Sequence, residues 1–92
     1  MSIEVRDNPA GKRYVLLVNG EVRGQLHYAA EPGTLKLSHT VVDPDLEGHG
    51  LGSRLVHDAL EDIRARELRL VPICPFVRSY LERHREYADL VA

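Results

Sequence analysis

The feature that most limits what this chain can fold into is an abrupt change of period around Gly48-His49-Gly50-Leu51-Gly52. Before it, apolar residues alternate; after it, they recur every three or four positions. Residues 2–7 set Ile3 and Val5 against Glu4 and Arg6, the two-residue period of a strand. Arg13–Val18 is a short apolar run rich in β-branched and aromatic residues, which reads as a well-buried strand. Asn19-Gly20 accepts the positive φ of a tight hairpin turn. Beyond it Val22, Gly24, Leu26 and Tyr28 alternate with Arg23, Gln25 and His27. After the turn residues Glu31-Pro32-Gly33, Thr34–Val42 alternates again, with Leu35, Leu37, His39 and Val41 expected on one face. These four strands form an antiparallel meander.

From Leu51 onward, Leu51, Leu55, Val56, Ala59, Leu60 and Ile63 fall on one helical stripe of about four turns. Residues 68–73 are a further buried strand, parallel to the fourth if the helix is a right-handed crossover. Pro75 suits a first helical position, and Phe76, Val77, Tyr80, Leu81 and His84 mark a second amphipathic helix. A tail carrying Tyr87, Leu90 and Val91 follows, with His84 and Tyr87 expected to tie it to the domain. The order β-β-β-β-α-β-α predicts an α+β fold: a mostly antiparallel mixed sheet with two helices packed on it. With 92 residues, there is room for a single domain spanning 1–92.

Composition excludes several functions. Twelve Lys and Arg against 14 Asp and Glu give a net charge of −2, without the basic excess that releases phosphate counterions from nucleic acid. One Phe, four Tyr and no Trp supply little surface for stacking on single-stranded bases. The single cysteine forms no internal disulfide and fits a reducing compartment. There is no apolar signal core and no run approaching the ~20 apolar residues of a membrane span. The expectation is a soluble, cytoplasmic protein that binds neither nucleic acid nor membrane. The five histidines form no ligand cluster with Cys74, so no metal is expected.

The stretch from Thr40 to Leu55 carries the chemistry. Glycines at 48, 50 and 52 between a strand end and a helix start let backbone N–H groups turn toward one point. The helix N-terminus adds free donors and partial positive charge, which suits phosphate. A nucleotide P-loop requires Gly-Lys-Ser/Thr, but Ser53-Arg54 follows Gly52 here. A dinucleotide fingerprint requires G-x-G-x-x-G after a first strand, but this loop reads G-x-G-x-G after four strands. A plain flexible connector is the alternative.

The segment Glu47-Gly48-His49-Gly50-Leu51-Gly52 resembles the pyrophosphate loop of the GNAT superfamily of N-acetyltransferases, Gln/Arg-x-x-Gly-x-Gly/Ala. It departs at Glu47, where a carboxylate replaces Gln or Arg. A closer resemblance spans nearly the whole chain. His39-Thr40-Val41-Val42, the glycine loop, Cys74-Pro75-Phe76-Val77 and the segment from Tyr80 to Tyr87 are similar in kind and order to a small single-domain GNAT-like family of predicted acetyltransferases.

The resemblance implies transfer of an acetyl group from acetyl-CoA to an unidentified amine. It implies that the fourth and fifth strands splay apart. Pantetheine would pair with backbone at 40–43, pyrophosphate would rest on amides at 47–52, and an N–H near Val41 or Val42 would polarise the thioester. The implied cofactor-binding residues are Thr40, Val41, Val42, Glu47, Gly48, His49, Gly50, Leu51, Gly52, Ser53 and Arg54. His49 is either a phosphate contact or an exposed loop residue. Arg54 either reaches a phosphate or lies with Asp58, Glu61, Asp62 and Arg64 on a solvated helix face.

Three residues are candidates for catalysis. Cys74, at a helix N-terminus that lowers a thiol pKa, reads as an acetyl-accepting nucleophile, a contact to the CoA sulfur, or a small buried residue. His39 reads as a base for the amine or as a hydrogen-bonded core histidine. Tyr80 is one residue from the position at which the superfamily places its proton donor, and it also belongs to the apolar stripe. Typical GNAT enzymes close two helices over the acceptor between their first two strands, whereas only residues 8–12 connect them here. An open acceptor side follows, suited to a bulky amine such as a protein. The alternative is a catalytically weak CoA-binding or partner-binding module that keeps the fold.

Overall fold

Short turns leave consecutive strands no choice but to lie side by side. In the computed structural model, which describes all residues from Met1 to Ala92, the strands are β1 (Ile3–Asn8), β2 (Arg13–Val18), β3 (Glu21–Glu31), β4 (Thr34–Val42) and β5 (Arg69–Pro72). They form one sheet in that order. The first four pair antiparallel, and β5 pairs parallel to β4. The β2–β3 turn uses Asn19 at φ 52° and Gly20 at φ 85°, the left-handed pair that matches the twist of a hairpin. Helix α1 (Leu51–Ala65) makes the crossover, and α2 (Pro75–Arg83) follows β5. Short 3-10 turns occupy Pro9–Gly11, Pro44–Leu46 and Arg85–Leu90.

One apolar cluster holds both helices to the same sheet face. All six residues of the expected α1 stripe are buried in it, facing Tyr14, Leu16, Leu26, Leu35, Leu37 and Leu70 from the sheet. Val77, Tyr80 and Leu81 of α2 complete it, with Tyr87 and Leu90 of the tail. The tail also extends the sheet beyond β5: Val91 bridges Leu70, and the Ala92 amide donates to the Leu70 carbonyl at 2.8 Å.

Two bulges correct the strand faces. Leu16 faces Gly24 but Leu17 faces Val22, which leaves Arg23 as an extra residue. Val22 is thereby turned away from the core and is 50% exposed. In β4, Leu37 faces Tyr28 but His39 faces His27, so Ser38 is the inserted residue. His39 therefore lies not with Leu35 and Leu37 but on the opposite, helix-free face. An inserted residue shifts every later side chain by one place in the pleat.

The α1 charges do more than solvate the helix. Tyr14 donates to Asp62 at 2.6 Å and Tyr28 to Asp7 at 2.6 Å, while Arg66 donates to Asp7 at 2.7 Å and to Asp62 at 2.9 Å. Burial, then the neighbouring carboxylates, hold both phenols well above the tyrosine range. Glu61 accepts from Tyr87 at 2.5 Å, and Arg64 pairs with Asp89 at 2.9 Å. No helix is long and apolar enough to cross a membrane.

Leu60 is fully buried between α1 and the sheet. Leu60→Ala is expected to lower unfolding stability by about 2–5 kcal/mol, read as a reduced urea midpoint at unchanged m value.

Candidate functional site

The site begins where the sheet divides. Pairing of β4 with β5 ends at Leu37 opposite Pro72. The next two amides, Ile73 at 3.0 Å and Cys74 at 2.9 Å, both converge on the Leu37 carbonyl. Residues 38–42 of β4 continue with a partner on the β3 side only. Beyond them, Arg23 secures the start of the following loop, donating to Asp43 at 2.6 Å and to Asp45 at 2.6 Å.

The loop then reaches α1 through two left-handed residues, Gly48 at φ 86° and the N-cap Gly50 at φ 70°. A side chain at either would meet nothing within 4 Å, so backbone conformation, not crowding, requires glycine there. No side chain caps the helix. Its first internal bond runs from the Arg54 amide to the Gly50 carbonyl at 3.1 Å. The amides of Leu51, Gly52 and Ser53 precede that bond and are left free of helical partners.

Gly52 has a second role besides the one its place in the loop suggests. A Cβ there would lie 3.0 Å from Cζ of Phe76. It makes room for an aromatic ring on α2.

These parts bound one cleft. Its β4 wall is His39, Thr40, Val41 and Val42; Glu47, Gly48 and Gly50 contribute from the loop, and Leu51, Gly52 and Ser53 from α1. Phe76, 39% exposed, closes one side. Of the residues singled out for cofactor contact, His49 and Arg54 are absent from the lining. His49 is exposed, and Arg54 pairs along its own helix with Asp58 at 2.8 Å. Phe76 was legible only as part of a helix stripe; its place directly after Pro75 at the start of α2 brings it to the cleft.

Cys74, only 4% exposed, stands behind the β4 wall with its sulfur 3.3 Å from the Thr40 hydroxyl. Burial pushes the thiol up, but the Thr40 hydroxyl and the amides of Val77, Phe76 and Thr40 outweigh it and leave it below its ordinary value. Thr40 thus links the cleft to the thiol, a contact between distant segments that spacing alone does not reveal. Tyr80 is elsewhere: its ring stacks on His84 with centroids 4.0 Å apart, and it is 4% exposed. Burial, then Glu86, Asp58 and Glu61, raise its phenol. No three His, Cys, Asp or Glu side chains gather to hold a metal ion.

The sequence matches a family model described as GCN5-related N-acetyl-transferase over residues 13–90. No curated protein matches it. Among solved structures it is similar to a GCN5-like protein of Staphylococcus aureus, at 22% identity and a TM-score of 0.71, covering 97% of this chain and 87% of that one. A GNAT family acetyltransferase of Elizabethkingia anophelis with acetyl-CoA bound aligns at 17% identity and a TM-score of 0.58, covering 79% of this chain and 51% of that one. A GNAT-family protein of Desulfovibrio desulfuricans aligns at 23% identity and a TM-score of 0.58, covering 78% of this chain and 52% of that one.

The thiolate fraction grows as pH rises through the folded thiol pKa, which lies below its ordinary value. Ultraviolet absorbance of the thiolate, measured against Cys74→Ala, is therefore expected to titrate at lower pH than free cysteine. Thr40→Val removes a donor to the charged form and moves the midpoint upward; an unmoved midpoint would show that the hydroxyl does not act on the sulfur.

Proposed function

This chain belongs to the GCN5-related N-acetyltransferase family, and from that premise we propose that it transfers an acetyl group from acetyl-CoA to an amine. The observation that carries the reading is the cleft itself. The unclaimed first-turn amides of α1 and the stretch 39–42 of β4, which has no strand on its β5 side, face one space. The donor set fits a diphosphate at one end and an amide-bearing arm at the other. Leu51, Gly52 and Ser53 would hold phosphate oxygens through their N–H groups, and backbone at 40–42 would pair with the arm. Among the lining residues only Glu47 brings a carboxylate.

When bound, acetyl-CoA supplies an activated carbonyl and a thiol leaving group. The chain's own part is to orient the carbonyl and to move protons. An N–H near Val41 or Val42 polarises the carbonyl oxygen. His39, exposed on the cleft wall, accepts the proton of the attacking amine at a ring nitrogen. The Thr40 hydroxyl, bonded to Cys74, would pass its proton to the departing sulfur while taking the Cys74 thiol proton in its place. Nitrogen would gain the acetyl group and the CoA sulfur a proton; His39 would then release the amine proton to solvent and Cys74 take one back, so Cys74 acts through Thr40 without being acylated. Tyr80 then serves packing.

The acceptor side is open. Only the Pro9–Gly11 turn separates β1 from β2, and no helix lies over the face that carries His39. A bulky amine such as a protein lysine or N-terminus fits that openness. Glu47 in the lining favours a second reading, a CoA-binding or partner-binding module with weak turnover, because its carboxylate opposes a diphosphate.

Calorimetry with acetyl-CoA, followed by thiol release in the presence of lysine-bearing proteins, tests the reading. Gly50→Val forces a branched residue into a left-handed conformation; at a cost of roughly 1–2 kcal/mol, binding is expected to weaken about tenfold. Unchanged affinity would remove the loop from the cofactor site. His39→Ala is expected to lower kcat by about 10²–10⁴-fold while acetyl-CoA affinity stays constant. Intact-mass measurement should detect no acetyl group on Cys74; its appearance would establish the covalent route instead.

A further inference from the structure

The Ser38 bulge places two imidazoles together on the helix-free side of the sheet. His27 of β3 and His39 of β4 are directly opposite in register. Their rings stack with centroids 6.2 Å apart and planes 26° from parallel, within the range at which aromatic rings attract one another. Directly opposed residues on one face are the closest side-chain neighbours a sheet provides. The bulge that creates the pair is also secured at His27, because the Ser38 hydroxyl donates to the His27 carbonyl at 3.2 Å.

The two rings differ in how they are held. His39 is exposed, lines the cleft and has no side-chain hydrogen bond to select its rotamer. His27 is half-buried and lies beside Arg13 of β2, its other cross-strand neighbour. Arg13 is itself tied to Gln25 at 3.0 Å. Protein thus confines His27 from the β2 side, while His39 has His27 alone to lean on. We propose that His27 is a positioning residue: its ring, stacked across the bulge, holds the imidazole of His39 over the cleft. The kinetic consequence rests on the reading of His39 as the proton acceptor; the positional claim does not.

The test starts with the free protein. Three-bond couplings about χ1 of His39, measured by NMR, should report one dominant rotamer in the native chain and averaging in His27→Ala. His27→Phe, which keeps a flat ring, should restore the single rotamer. Unchanged couplings in His27→Ala overturn the proposal. Thiol release from acetyl-CoA with a lysine-bearing peptide supplies the second readout. His27→Ala should lower kcat about tenfold, since small misplacement of a reacting group is costly, with KM for acetyl-CoA unchanged and His27→Phe recovering most of the rate. In a His39→Ala background the His27 substitution should cost nothing further. A loss of equal size in that background overturns the proposal. If His39→Ala alone retains the full rate, the proton-acceptor reading falls and the rotamer result alone decides the positional one.

Discussion

Everything at the cleft follows from one carbonyl that takes two amides. The amides of Ile73 and Cys74 both fall on the Leu37 oxygen, where pairing of β5 with β4 stops. That shared acceptor closes the parallel ladder and turns the chain sharply into α2, whose first position is the tolerant Pro75. Had pairing continued, β5 would have covered the stretch of β4 that now forms the cleft wall. The same turn sets Cys74 at the N-cap of α2, behind Thr40, so the separation of two strands also positions the only thiol in the chain.

The domain compensates for this interrupted sheet with contacts that tie helix to strand. Arg66, at the C-terminal end of α1, bridges Asp7 of β1 and Asp62, and these carboxylates accept the phenols of Tyr28 and Tyr14 from the two central strands. Each buried ring keeps its apolar body in the core and sends only its hydroxyl to a charge. At the other end of the sheet, Arg23 holds two aspartates of the loop that leads to the glycines. Charge is used at the rim of the helix–sheet interface, and the center is left to leucines.

Periodicity made most of the architecture legible. The apolar run at residues 13–18 gave a strand, and the stripe from Leu51 to Ile63 gave a helix and its buried face, because burial on one side of a helix leaves a regular trace in residue type. The bulges left no such trace. Leu35, Leu37, His39 and Val41 look like unbroken alternation because His and Val suit either face of a strand end; only cross-strand register reveals Ser38 as an insertion. The place of Gly52 in the glycine loop points to a backbone approach to a ligand, but spacing cannot show that the missing side chain also leaves room for Phe76. Asp62 and Glu61 resembled surface charges because their partners, Tyr14 and Tyr87, come from segments far away in the sequence.

The Phe76 ring over Gly52 has a mechanical consequence. It wedges the start of one helix against the start of the other, so the two cannot drift independently. Breathing that admits a large guest then falls to the loop carrying Glu47, Gly48 and Gly50, since β3 holds the strand wall along its length. The cleft should behave less like a jaw than like a fixed shelf facing one pliant curtain.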